Sequence, residues 1–246
     1  MVEANTTFYG RPSEATAARW REQTPPEFRF CLKVPRTISH DRQLVDCEEE
    51  IALWIDVLRV LGERAGPTFL QLPPDFGPDK FPLLLRFMEN WPADLSLSVE
   101  PRNAGWFDRA VEEELMQRMR DFKVGRILYD GRPLKAVESN DTYILEGQAK
   151  KPRVPTRASA TAHHIHVRYM AHTDLTANER WLSQWREKVV EWLDEGRDIY
   201  FCMHSLYDAH MPALCQMFHS MISEVRPLPP LPDPEDAVPG GQMSLF

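Results

Sequence analysis

Short apolar, strand-like runs alternate with helical patterns about seven times along this chain, and that alternation restricts the fold more than any other feature. Val2–Asn5 reads as a stub of strand and Ser13–Glu22 as a helix with Ser13 as N-cap, stopped by Pro25-Pro26. Phe28–Val34 alternates as a strand. Glu48–Leu61 places Ile51, Trp54, Ile55, Leu58 and Leu61 at helical spacing and stops at Gly62. Thr68–Leu72, Leu95–Val99, Val124–Tyr129, His164–Tyr169 and Ile199–Met203 read as further strands, and Phe81–Asn90, Val111–Phe122, Glu179–Glu195 and Ala209–Ser223 as the helices between and after them. Arg132–Ala162 is weakly periodic and receives no element. Regular alternation argues for a parallel sheet. So many repeats of one unit in about 220 residues suit a closed TIM-type (β/α) barrel better than an open doubly wound sheet. The chain lacks a Gly-x-Gly-x-x-Gly after a strand and a Gly-Lys-Ser/Thr loop, which weighs against dinucleotide and P-loop folds. From Pro227 the composition shifts to Pro and Gly, so residues 1–224 read as the barrel domain and 225–246 as a flexible tail.

Composition narrows the partners. The net charge of −8 repels phosphate backbones, so contact with nucleic acid needs a local basic cleft. Cys31, Cys47, Cys202 and Cys215 are far apart without a Cys-x-x-Cys pair, and read as reduced, mostly buried thiols rather than zinc ligands. No apolar run is long enough for a membrane span and the N-terminus has no secretory pattern, so a cytoplasmic location is expected.

In a β/α barrel the chemistry collects where the C-terminal ends of the strands converge. Those ends carry Glu3, Asn5 and Tyr9, then Lys33, Arg36 and His40, then Gln71, then Glu100, Arg102 and Trp106, then Asp130, Arg168 and His204. Two carboxylates, a lysine and two arginines at one mouth would bind an anion and move a proton. Glu100, Asp130 and Lys33 are the candidate catalytic groups, and the remaining residues the candidate substrate contacts. The alternative is structural: Arg102 clamping Glu100 and Arg168 clamping Asp130. Trp106, just after a strand end, is the stacking candidate among the tryptophans. His163-His164-x-His166 has the look of a metal cluster, but on a strand His164 and His166 share one face and His163 the other. No metal ligand is assigned, and a divalent metal stays open as a cofactor.

These residues resemble the YecE-like family, domain of unknown function 72. The match runs through Val-Glu-Ala-Asn-Thr-Thr-Phe-Tyr (Val2–Tyr9), Pro12-Ser13-Glu14, Trp20, Thr24-Pro25-Pro26, Phe28-Arg29-Phe30 and Lys33. It continues through Thr37-Ile38-Ser39-His40, Gln71-Leu72-Pro73-Pro74, Val99-Glu100-Pro101-Arg102, Trp106, Asp130 and Val167-Arg168 to the closing Gln-Met-Ser-Leu-Phe. The resemblance implies a TIM-barrel-like fold and no particular activity. Relatives begin with a Gly-rich, Trp-containing strand and a helix ahead of the Val-Glu-x-Asn segment. The chain is therefore expected to be a barrel without its first βα unit. Met203-His204-Ser205 stands where relatives carry paired Asn residues, and Asn103 where a His is common.

Gln242, Met243, Leu245 and Phe246 also resemble the peptide by which bacterial polymerases and repair proteins dock on the sliding clamp, with Gln for a polar pocket and Leu and Phe for an apolar groove. The other reading folds Met243, Leu245 and Phe246 back on the barrel's own surface. Three functions remain: a phosphodiesterase-type enzyme of nucleic-acid metabolism tethered to the clamp, a metal-independent enzyme on a small anionic or sugar-like metabolite, and a non-catalytic clamp-associated adaptor. The expected partners are an anionic small molecule or nucleic acid at the mouth and the clamp at the tail.

Overall fold

The computed structural model describes residues 1–231 of the chain, so Gln242, Met243, Leu245 and Phe246 lie outside the described residues. Among the described residues seven strands run parallel: β1 (Val2–Ala4), β2 (Phe30–Leu32), β3 (Thr68–Gln71), β4 (Leu97–Glu100), β5 (Gly125–Asp130), β6 (His164–Met170) and β7 (Asp198–His204). Strands β3 to β7 form one five-stranded sheet in sequence order, and β1 pairs with β2 beside it. Parallel bridges Phe30↔Ala65 and Lys33↔Phe69 join the two, and the Thr68 hydroxyl adds a bond to the Leu32 carbonyl. The sheet curls so far that Glu3 of β1 reaches Arg168 of β6 and His204 of β7 through side chains, with no ladder between β1 and β7 among the described residues.

The helices α1 (Glu14–Glu22), α2 (Glu48–Leu61), α3 (Phe81–Glu89), α4 (Arg109–Asp121), α5 (Arg132–Lys135), α6 (Thr142–Ala149), α7 (Glu179–Asp194) and α8 (Met211–Ser223) connect the strands and cover the sheet. Ser13 caps α1 by accepting the Thr16 N–H at 3.1 Å, as its sequence position suggests. The segment left unassigned from Arg132 to Ala162 holds α5 and α6; α5 is a single turn and α6 buries Ile144 alone, too little for a periodic signal.

Among the described residues the core divides into two large apolar clusters and a small one. One large cluster packs α2, α3 and α4 on β2 to β4 around Trp54, Leu58, Leu70 and Trp106; the other packs α7 and α8 on β6 and β7 around Tyr169, Trp185 and Phe218. The small one gathers Leu134, Val137 and Ile144 with Tyr129 and Met170 near the C-terminal ends of β5 and β6. The two large clusters lie between sheet and helices. The inner face of the curl is different, because polar side chains fill it. No helix among the described residues is long and apolar enough to cross a membrane.

Candidate functional site

Strand β6 sets the layout of the interior. Residues two apart point to one face, so His164, His166, Arg168 and Met170 line the inside of the curl from one end to the other. His164 sits lowest, held by the Ser98 hydroxyl at 3.1 Å and the Leu97 carbonyl at 3.2 Å, while His163 points out to Asp198 on the surface. That parity is the one the sequence implies.

Arg168 is the hub. Its Nε and Nη2 donate to the two oxygens of Glu3 at 2.9 Å each, and its Nη1 donates to Glu100 Oε2 at 2.5 Å. Both carboxylates are almost completely buried. Glu100 also receives the Gln71 amide at 2.9 Å and faces Arg102 Nε at 2.8 Å, and Asn5 donates to Glu3 at 2.9 Å. Gln71 in turn accepts from Lys33 Nζ at 2.8 Å, and the ammonium lies 3.8 Å from the centre of the Phe8 ring. Residues from five strands or strand ends thus form one connected polar chain: Lys33, Gln71, Glu100, Arg168, Glu3 and Asn5.

The electrostatics follow from burial and pairing. Burial alone would raise the Glu100 carboxyl, but Arg168 and Arg102 overcome it and hold it near about 2. Glu3 behaves alike: burial opposes, Arg168 and His204 prevail, and the carboxyl stays well below its usual range. Arg168 is locked in its charged form, because Glu3 and Glu100 outweigh its desolvation. Lys33 goes the other way. Burial, then the positive charge of Arg168, lowers its ammonium to about 8, with Glu100 opposing. His40 is lowered to about 4 by burial and then by Lys33 and Arg102.

Above this chain opens a cavity of about 260 Å³ lined by Asn5, Phe8, Tyr9, Lys33, Gln71, Arg102, Arg168 and His204. Tyr129, Lys150, Lys151 and Met170 complete it, and the sequence reading assigned none of these four. Burial, then the charges of Arg168 and Arg102, lowers the Lys151 ammonium. The Tyr129 hydroxyl is buried without a hydrogen-bond partner, and burial followed by the Glu100 charge raises its pKa. Lys150 and Lys151 follow α6 in the segment without periodicity, where only a local run of lysines marked them; Tyr129 is betrayed by parity, one residue before Asp130.

Most of the expected mouth assembles, with five departures. Asp130 does not join it. The strand alternation that turns Tyr129 inward turns Asp130 outward, where its two oxygens accept from Arg132 (N, Nε and Nη2), Trp185 Nε1 and Thr156 Oγ1 at 2.8–3.2 Å. Arg132 is therefore its clamp, and Arg168 pairs with Glu3 and Glu100 instead. Trp106 is no stacking platform: it is fully buried, stacked on Phe76, with its Nε1 donating to the Phe76 carbonyl at 2.7 Å. Arg36 pairs with Asp41 on the surface at 3.0 Å and lines a neighbouring cavity. Glu100 stands where expected, yet a carboxylate held near about 2 is a poor proton acceptor at neutral pH. His40 packs edge-on against Phe8 behind the rim, bonded to the Ser39 hydroxyl at 2.9 Å.

The interior also contains a group whose members lie far apart in the chain. Glu3, His166 and Cys202 bring one ligand atom each within 4.8 Å of one another. They come from β1, β6 and β7, and only the curl of the sheet makes them neighbours.

Comparison with known proteins agrees with the architecture. The family model described as "Protein of unknown function DUF72" matches residues 1–236. UPF0759 protein YecE of Escherichia coli strain K12 is 33% identical over 246 residues, spanning all of this chain and 89% of that protein. A crystal structure of a DUF72 family protein from Enterococcus faecalis superposes with a TM-score of 0.71 at 19% identity, covering 90% of this chain and 89% of that one. Another from Thermotoga maritima gives 0.66 at 20% identity, covering 90% and 84%.

Proposed function

We propose a function for this chain, which belongs to the DUF72 family, from its mouth: the cavity binds a small phosphate- or carboxylate-bearing molecule, and Lys33 exchanges a proton with it. The observation that carries the reading is charge. Lys33, Arg102, Lys150, Lys151 and Arg168 line the cavity, while the carboxylates beside them, Glu3 and Glu100, are buried and already paired. An anion entering there finds more cations than carboxylates, with Lys33 and Lys151 outside any ion pair among the described residues, in a partly desolvated site where charge-assisted hydrogen bonds are strongest. A volume of about 260 Å³ is at the small end of ligand pockets, which favours a metabolite over a polymer. Lys33 is the group matched to proton transfer, since an ammonium near about 8 is partly neutral in a cell. Arg102 and Lys151 would hold the anionic end and Tyr9 would cover it. The curl of the sheet is read here as a TIM-type barrel open between β1 and β7, its mouth at the C-terminal ends of the strands.

Calorimetric titration with a panel of sugar phosphates, dicarboxylates and inorganic phosphate tests this reading. A saturable, salt-sensitive interaction that Arg102→Ala weakens at least tenfold is expected. Absence of binding by every member of the panel at low salt would overturn it.

A second reading has its own support. Lys150 and Lys151 line the mouth of a chain whose net charge is −8, and they supply part of the local basic cleft that a nucleic-acid phosphodiester would require. Gln242, Met243, Leu245 and Phe246 would then tether the protein to a sliding clamp. Single-stranded and abasic DNA in the same titration separate the two, and a clamp pull-down with and without the last five residues tests the tether.

A further inference from the structure

We propose that Glu3, His166 and Cys202 form a binding site for a divalent transition-metal ion of zinc character, one layer beneath the mouth. This goes beyond the anion site and does not depend on it. The geometry of the donors comes first. His166 Nε2 stands 3.6 Å from Glu3 Oε2 and 3.6 Å from Cys202 Sγ. The edges of a zinc tetrahedron built from ordinary Zn–N, Zn–O and Zn–S bonds are about 3.3–3.6 Å. The nitrogen-to-oxygen separation is too long for a hydrogen bond.

The second observation is His166 itself. The ring is fully buried, its Nδ1 has no partner, and its Nε2 has only the two long contacts just given, with the edge of Phe69 behind it. A buried imidazole is ordinarily held by at least one good hydrogen bond. This one has a single sulfur hydrogen bond at 3.6 Å and points as well at a carboxylate oxygen it does not bond, an arrangement that suits a ligand set. Glu3 has the capacity: Arg168 uses one lone pair on each oxygen and Asn5 a second on Oε1, leaving one on Oε2, the atom nearest His166.

The donor chemistry selects the ion. A thiolate, an imidazole and a carboxylate suit zinc and its analogues and do not suit magnesium or calcium. Binding converts the Cys202 thiol to thiolate, and the proton is released to solvent. Arg168, which shares Glu3, sits two residues further along β6, about 7 Å higher. It thus couples the ion to the mouth through one carboxylate.

The test is a titration of the chelator-treated, reduced full-length chain with Co²⁺, which reports thiolate ligation through a near-ultraviolet charge-transfer band. One equivalent taken up with that band, displaced by Zn²⁺, is expected. Cys202→Ser should abolish the band, and His166→Gln should weaken uptake at least tenfold while circular dichroism stays native. Either of two results overturns the proposal: no stoichiometric uptake with a thiolate band by the unmodified chain, or a band unchanged in Cys202→Ser, which would assign the ion to another cysteine. Both readouts are independent of any mouth ligand, so failure here leaves the anion site standing, and the reverse.

Discussion

The two faces of strand β5 end in adjacent residues with opposite fates. Asp130, on the outer face, is buried, accepts five hydrogen bonds, and is matched in charge by Arg132. Tyr129, on the inner face, presents a buried hydroxyl to a cavity without a partner, among cations that outnumber their carboxylates. Both environments are polar, and both contain an arginine–carboxylate pair. What separates them is completeness. The outer cluster closes on itself and serves packing; the inner one leaves donors and charge available to a ligand. In a curled parallel sheet, unfinished pairing at the strand ends is a better sign of a site than the presence of charged residues.

The largest effect should come from the inner hub. Arg168→Met leaves Glu3 and Glu100 buried without their shared cation and should cost about 3–5 kcal/mol in chemical denaturation, with mouth binding lost. Asp130→Ala should cost less, about 2 kcal/mol, because Arg132 and Thr156 can turn to solvent while Trp185 Nε1 loses its acceptor. Its decisive property is that anion affinity at the mouth remains. A loss of affinity in this variant would erase the distinction between the two faces.

Lys33 gives a smaller effect with a defined sign. Its folded-state ammonium, at about 8, lies below the ordinary 10.5, so between those values the unfolded chain holds more protons and stability rises with pH. Below about 8 the buried charge is a full penalty. Lys33→Met should therefore keep or raise stability at pH 7, and that advantage should shrink as pH climbs toward 10.5, as read by melting curves across the range. Anion affinity of the unmodified chain should fall as pH passes about 8, since Lys33 then loses its charge. The smallest effect is expected for Arg36→Ala, whose exposed pair with Asp41 contributes less than about 1 kcal/mol and whose distance from the cavity leaves binding intact.

Alternation of strands and helices was legible because each strand is bounded by turn residues and each long helix carries an apolar stripe; the bounds of α2 agree to the residue. The mouth was legible as far as polar residues interrupt apolar runs: Lys33, Gln71, Glu100, Arg102 and Arg168 all arrive together. Parity at the end of β5 was harder to use: a one-residue shift in register decides whether Asp130 or Tyr129 faces the cavity, and composition says nothing about it. Trp106 misled for a related reason, since a residue just past a strand can fold back under a helix as easily as over the mouth. Lys150 and Lys151 lay in a segment without a period, and the grouping of Glu3, His166 and Cys202 needs the curl of the sheet, which joins residues from opposite ends of the chain.

The most direct test of the central claim is calorimetric titration of the full chain with inorganic pyrophosphate at low salt and pH 7, beside the Lys33→Met, Arg102→Ala double variant. Saturable binding by the unmodified chain, weakened by added salt and lost in the variant, is the expected result. Binding of equal strength in both proteins, or in neither, would contradict the assignment of the mouth as an anion site.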